Sequence, residues 1–217
     1  MSREYYLEQI NQLEKEFFRM GGDSLDILTR SLKSLHDKDM EEARKVMKDS
    51  EAMADKEIEL ENKCIELLAL QQPMAGDLRM IGAILKVLSD CRRFSRLAFD
   101  ISIITLKIGD EPLLPQIEDI CTMYKNVYAM VRDSFVAFDT RDVALAKSLA
   151  GRDDVVDAQY DRIRRELIDE MIRDPSNVDM ASHLSFVARY LERAADHSCS
   201  IASRTVYMVT GERVRIR

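Results

Sequence analysis

Small and apolar residues recur at alternating intervals of three and four along the last part of the chain. Between Ser182 and Gly211 they are Leu184, Val187, Leu191, Ala194, Ser198, Ile201, Thr205 and Met208. This spacing is typical of one face of an α-helix, and neither proline nor glycine interrupts the segment before Gly211. The pattern therefore predicts one long amphipathic helix here.

The same periodicity predicts five helices before this one. They span about residues 5–36, 39–71, 77–108, 116–138 and 142–172. Asp39 is a candidate N-cap for the second helix, and the pair Gly21-Gly22 is expected to bend the first. The breaks fall at QQP, GDEPLLP and DPSN. With only seven glycines and four prolines, the chain is predicted to be all-α.

The two halves of the chain are related by an internal repeat. The apolar positions and helix breaks of the two halves align when the first two helices are moved forward by 103 positions and the third by 100. Examples are Phe17 with Ile120, Asp39 with Asp142, Leu60 with Ile163, Ile84 with Leu184 and Val87 with Val187. We therefore expect a duplication that forms two tandem three-helix bundles, residues 1–109 and 110–217.

Composition narrows the class of protein. A net charge of −7 argues against general nucleic-acid binding, which requires a basic surface. The four cysteines are far apart and form no CxxC pair, so a thiolate zinc site is not expected. The N-terminus is charged rather than a signal peptide, and the apolar run at 101–106 is too short to span a bilayer. We expect a soluble cytoplasmic protein with no membrane insertion.

Two pairs of acidic residues lie beside the seams of the fifth and sixth helices: Asp153 with Asp157, and Glu192 with Asp196. Residues four apart share a helix face, so each pair repels unless an arginine, water or a bound cation compensates it. The short turn near Pro175 makes the two helices antiparallel, and counting from it brings both pairs to the same level. Such a cluster suits a hard cation, although solvated helix faces carry similar pairs.

The first repeat lacks these acids. The equivalent positions carry Ser50, Ala54, Arg92 and Arg96. We expect only the second repeat to hold metal, and we expect Arg92 and Arg96 to pair with Glu51 or Asp55. A phosphate-binding cluster of Arg92, Arg93 and Arg96 is the alternative.

The segments QQPMAGDLRMI and YLERAADH…VYMVTGE resemble the PhoU family of phosphate-uptake regulators, and the likeness extends from about Tyr5 to Ile216. The resemblance implies two three-helix bundles with an acidic pair in each, and multinuclear metal clusters that often contain iron. Mg, Mn, Ca or Zn are alternatives. Matched to this chain residue by residue, the family's motif implies that the metal ligands are Asp153, Asp157, Glu192 and Asp196. The chain departs from the family pattern at Ser50, Ala54, Arg92 and Arg96, and at Ala194-Ala195.

The resemblance also implies a regulatory role and no catalytic residues. The resemblance implies that the protein restrains high-affinity phosphate uptake and phosphate-starvation signalling. It also implies contact with the ATPase of the phosphate ABC transporter and, in many bacteria, with a membrane sensor histidine kinase. Members of the family are commonly homodimers. Two alternatives stay open: a metal-dependent or di-iron carboxylate enzyme, and a metal-free helical adaptor. Di-iron bundles use Glu-x-x-His, whereas Ala195 follows Glu192 at that spacing and His197 lies elsewhere on the helix.

Overall fold

Six long α-helices make up the computed structural model, which describes residues 3–71 and 73–217. They are α1 (Arg3–Asp37), α2 (Met40–Gln71), α3 (Ala75–Ile108), α4 (Ile117–Thr140), α5 (Val143–Arg173) and α6 (Val178–Thr210), with a 3₁₀ turn at Pro175–Asn177 before α6. The described ranges contain no strand. The all-α prediction is confirmed, and α6 begins four residues earlier than Ser182. Part of the predicted QQP break, Gln72, lies outside the described residues.

The duplication is visible in the turns that join the first two helices of each repeat. Asp39 and Asp142 cap α2 and α5, each accepting a hydrogen bond of 2.9 Å from the backbone N–H three residues on. The residue before each cap is left-handed, with φ of 55° at Lys38 and 57° at Arg141. Equivalent positions therefore share backbone conformation as well as sequence pattern, and Asp39 caps α2 as predicted.

Polar contacts between the first two helices of each repeat also fall at equivalent positions, with different chemistry. Arg30–Asp49 at 2.7 Å corresponds to Asp133–Arg152 at 2.6 Å, and Asp23–Lys56 at 2.7 Å corresponds to Asn126–Gln159 at 2.9 Å. The first contact has exchanged its charges, and the second has become a neutral hydrogen bond. The two exposed ion pairs of the first repeat contribute at most about 1 kcal/mol each, so they indicate the shared register more than they stabilise the fold.

The two repeats pack through α3 against α6 and α1 against α4. The Nε atom of Arg79 donates to the carbonyl of Met208, and Asp90 contacts His197, so α3 and α6 run in opposite directions. One continuous hydrophobic core extends through both repeats. None of the helices described is long and apolar enough to cross a membrane.

Gly21 of α1 lies directly against the Phe135 ring of α4. A Cβ atom built there would lie 2.6 Å from a ring carbon of Phe135, whereas one at Gly22 would meet nothing within 4 Å. Helix α1 runs unbroken from Arg3 to Asp37 through both glycines. The structural role of Gly21 is therefore to admit the Phe135 ring, which packs against Phe17 at 6.0 Å between centroids.

Candidate metal site

The four predicted acids face one another between α5 and α6. The charges of Asp157 and Asp196 both act on the carboxyl of Asp153, and the charges of Asp157 and Asp196 act on Glu192. This is the arrangement expected from equal distances on either side of the turn near Pro175. The structure thus brings together all four residues that the sequence singled out.

Asp153 is the most deeply buried member of this acid cluster (Asp153, Asp157, Glu192 and Asp196), with 3% of its surface exposed. Its Oδ1 atom is enclosed and has no hydrogen-bond donor. Burial, followed by the charges of Asp157 and Asp196, raises the pKa of Asp153 to about 6, and a hydrogen bond with the thiol of Cys199 partly opposes this shift. At neutral pH an ionised carboxylate therefore lies in a poorly solvated position beside like charges.

Glu192 is similarly placed but has a partial counterion. Its Oε1 atom accepts a hydrogen bond of 2.6 Å from Arg189, while its buried Oε2 atom has no partner. Burial raises the pKa of Glu192, Arg189 opposes that effect, and Asp196 and Asp157 reinforce it. Asp157 lies at the exposed edge, and desolvation and Asp196 raise its pKa. The cluster thus has two buried oxygen atoms without a hydrogen-bond partner, Oδ1 of Asp153 and Oε2 of Glu192.

Cys199 also borders the cluster, although it is not among the four residues that the sequence pattern singles out. Its Sγ atom is buried, 4.0 Å from the carbonyl oxygen of Leu149. Burial raises the pKa of the Cys199 thiol to about 12, and the charges of Asp153 and Asp196 and a hydrogen bond with Asp153 reinforce this shift. The thiol is therefore protonated at neutral pH. Its position three residues after Asp196 was the available signal, because residues three apart share a helix face.

His197 does not join the acids. Its Nδ1 atom lies 2.8 Å from Oδ1 of Asp90 on α3, and its ring contacts Phe94 edge-on. Across the two described ranges, no group of three or more His, Cys, Asp or Glu side chains is arranged so that it could hold a metal ion without rearrangement. The acids are neighbours, but their side chains do not converge on one point.

The first repeat places arginine where the second has acid, but its predicted ion pairs are wrong. Arg96 pairs with Asp100 on its own helix at 3.1 Å and lies over the ring of Phe99. Arg92 donates to the carbonyl of Ser50 at 3.3 Å. The predicted partners, Glu51 and Asp55, are exposed on α2. Arg96 instead has an acceptor one turn away on its own helix, Asp100, and Arg92 has the backbone carbonyl of Ser50 on α2.

The Arg92–Ser50 contact links the residues that correspond to Glu192 and Asp153. The guanidinium group of Arg92 therefore brings a positive charge to the level at which the second repeat has its acid cluster. Ser50 itself is buried and donates a hydrogen bond of 2.5 Å to the carbonyl of Ser95. Ser50, Ala54, Arg92 and Arg96 stand where the second repeat has its four acids, so the two repeats differ in charge at equivalent places.

The profile of the PhoU domain matches this chain twice, at residues 17–105 and 120–205. The chain belongs to the PhoU family. Its relatives include the phosphate-specific transport system accessory protein PhoU homolog of Aquifex aeolicus, 35% identical over 96% of this chain and 94% of that protein. PhoU homolog 1 of Methanothermobacter thermautotrophicus is 34% identical over 96% and 95% of the two chains.

Solved PhoU structures share the fold. The crystal structure of PhoU from Pseudomonas aeruginosa superposes with a TM-score of 0.91 at 27% identity, covering 95% of this chain and all of the other. That of the phosphate transport system regulatory protein PhoU from Streptococcus pneumoniae gives 0.89 at 28% identity, covering 96% and 99%. The predicted pair of tandem PhoU three-helix bundles is thereby confirmed.

Proposed function

We propose that this PhoU protein is a regulatory adaptor with one cation site, formed by Asp153, Asp157, Glu192 and Asp196. The observation that carries the site is the enclosed Oδ1 atom of Asp153, which has no donor and faces other acids. Carboxylate oxygens suit hard cations, and we expect iron, with Mg, Mn, Ca or Zn as alternatives. A bound cation would supply positive charge between α5 and α6 and offset the repulsion there.

The donor set fits such a cation, but the side chains have to turn. Glu192 offers its free Oε2 atom without leaving Arg189, and Asp157 at the exposed edge is free to rotate inward. Asp153 is fixed by burial and would be the anchor. The protonated thiol of Cys199 makes a soft thiolate site the less suitable assignment. The cation would then stabilise the α5–α6 pair of the second repeat only.

The adaptor role rests on the family. We propose that the protein restrains high-affinity phosphate uptake and phosphate-starvation signalling by contacting the ATPase of the phosphate ABC transporter, and a sensor histidine kinase where one is present. It would act in the cytoplasm as a homodimer, without catalysing a reaction. Support comes from the names of the relatives, which describe accessory proteins of the phosphate-specific transport system.

Metal binding is tested on the full chain, purified without a histidine tag and stripped with a chelator. Mn²⁺ or Fe²⁺ is added while the thermal unfolding midpoint and the bound metal are measured. We expect the metal to raise the midpoint, because a ligand that binds only the folded state stabilises it by about 2.7 kcal/mol at a hundredfold excess over Kd. Asp153→Asn should abolish the shift.

The matched control is Asp154→Asn, which removes an adjacent exposed acid from the same helix. It should retain the metal-induced shift. Equal shifts in wild type and Asp153→Asn would refute the site. The adaptor role is tested separately: the full chain should capture the phosphate transporter ATPase from phosphate-replete cells, and failure to capture it would contradict that role whatever the metal result.

A further inference from the structure

Residues 211–217 form a tail that folds back along α6. Gly211 ends the helix in a left-handed conformation, with φ of 79°. Ile216 then returns to the core with 8% of its surface exposed, and its backbone N–H donates to Oγ of Ser203 at 3.0 Å. This anchor fixes Arg215 and Arg217, the neighbours of Ile216, beside α6.

The tail encloses a cleft of about 530 Å³ together with α6 and one residue of α3, which we term the tail pocket. Four of its lining residues are arginines: Arg193, Arg204, Arg215 and Arg217. Its remaining polar lining includes Ser200, Ser203 and His197, and its only branched apolar residues are Val214 and Ile216. The pocket lies between the two repeats because Asp90 of α3 forms part of its wall.

The four arginines have no direct polar partner among the described residues, although the charge of Arg193 acts on Asp100 and that of Arg217 acts on Asp157. Within residues 3–71 and 73–217, none of their guanidinium groups makes an ion pair or a hydrogen bond, whereas Arg30 engages both Glu42 and Asp49. Of the two acids in the pocket, Asp90 is already bound by His197 at 2.8 Å and by Ser200 at 3.2 Å. The other, Asp196, belongs to the acid cluster. The pocket thus has an excess of unpaired positive charge in a concave surface.

We propose that the tail pocket binds a compact polyanion with two or more linked phosphoryl groups. Guanidinium groups donate paired hydrogen bonds that match phosphate oxygens, and four of them around one cleft suit more than one phosphoryl group. The volume is within the range of pockets for small organic ligands, of about 300–1,000 Å³, and exceeds what a single phosphate ion fills. No phenylalanine, tyrosine or tryptophan lines the pocket, and the His197 ring is already engaged by Asp90, so recognition falls on the phosphate chain rather than on a stacked base.

The proposal does not require a bound metal, although Asp196 of the acid cluster and the adjacent Cys199 both line the pocket. We therefore test it on the full chain stripped of metal. Isothermal titration with sodium tripolyphosphate is compared with orthophosphate, sulfate and ATP at fixed ionic strength. We expect tripolyphosphate to bind at least about tenfold more tightly than orthophosphate or sulfate, since each further charge-assisted pair adds affinity. ATP should bind about as tightly as tripolyphosphate.

Two substitutions locate the site. Arg204→Gln and Arg217→Gln should each weaken tripolyphosphate binding about tenfold, because each removes one unpaired guanidinium group without breaking a hydrogen bond in the fold. Arg213→Gln is the matched control in the same tail, because Arg213 lies over the ring of Tyr207 and does not line the pocket. It should bind like wild type.

Three outcomes would overturn the proposal. The first is the absence of a heat signal with tripolyphosphate, and the second is an equal loss of affinity in all three arginine variants, which indicates general charge attraction. The third is ATP binding much more tightly than tripolyphosphate, which indicates recognition of the base. A selective loss in Arg204→Gln and Arg217→Gln supports it.

Discussion

Removing the charge of Asp153 should stabilise the metal-free protein. The carboxylate is buried, one of its oxygens has no donor, and the charges of Asp157 and Asp196 outweigh the opposing hydrogen bond from Cys199. Asp153→Asn keeps the shape of the side chain and supplies an amide that can donate to those acids. We therefore expect metal-free Asp153→Asn to have a larger free energy of unfolding than metal-free wild type at pH 7.5.

The magnitude follows from the pKa of Asp153, which rises from 3.8 to about 6 on folding. Each pKa unit corresponds to about 1.4 kcal/mol, so ionised Asp153 lowers the free energy of unfolding by about 3 kcal/mol. Below pH 3.8 the group is protonated in both the folded and the unfolded chain, and the penalty is absent. It grows as the pH rises from 3.8 to about 6 and is complete above that, because only the unfolded chain releases its proton in this window.

Urea unfolding in the presence of a chelator, followed by circular dichroism between pH 4 and pH 7.5, measures this difference. The variant should exceed wild type by about 3 kcal/mol at pH 7.5, and the excess should shrink toward zero near pH 4. Asp154→Asn, the exposed neighbour, should stay within about 0.5 kcal/mol of wild type at each pH. Mn²⁺ at a hundredfold excess over Kd should stabilise wild type and not Asp153→Asn, which removes most of the difference between them.

Two results would refute this reasoning. One is a metal-free Asp153→Asn variant that is less stable than wild type at pH 7.5. The other is a stability difference that does not change with pH. The first would mean that hydrogen bonds to the ionised carboxylate outweigh its burial in the folded protein. The second would mean that folding does not shift the pKa of Asp153.

Two further predictions concern the fold. Gly21→Ala should lower the free energy of unfolding by about 1–3 kcal/mol in urea unfolding, because its Cβ would meet the Phe135 ring at 2.6 Å. Gly22→Ala, in open space on the same helix, should raise the same free energy by about 0.5–1 kcal/mol. Equal effects in the two variants would contradict the assigned role of Gly21. Asp142→Ala should lower the same free energy by about 1 kcal/mol in urea unfolding, because it removes the hydrogen bond from the N–H of Leu145, and an unchanged midpoint would show that this cap is dispensable.

Sequence periodicity was sufficient to predict the helices and the duplication. Each helix end depends on residues close in sequence, such as the caps Asp39 and Asp142, and the structure places both where the pattern did. The level of the four acids was also predictable, since it follows from counting residues on either side of one short turn. The start of α6 was missed by four residues because a 3₁₀ turn leads directly into it.

The hydrogen-bond and ion-pair partners of individual side chains were not predictable from the sequence in the same way. Arg92 and Arg96 had several acids within sequence reach, and their actual acceptors are a backbone carbonyl and a residue on the same helix. The unequal burial of Asp153 and Asp157 is likewise a property of how α5 packs on α6, because both acids have the same spacing from the seam.

The amino-acid sequence by itself determined which segments are helical, that they occur twice, and which acids share a face, because these properties depend on neighbours three or four positions away. Tertiary structure decided which carboxylate loses its water, why α1 needs glycine at Gly21, and where the tail places Arg215 and Arg217. These depend on contacts between residues far apart in sequence, such as Gly21 with Phe135 and Ile216 with Ser203. Such contacts form only when the helices pack together, so the helical periodicity of the sequence does not predict them.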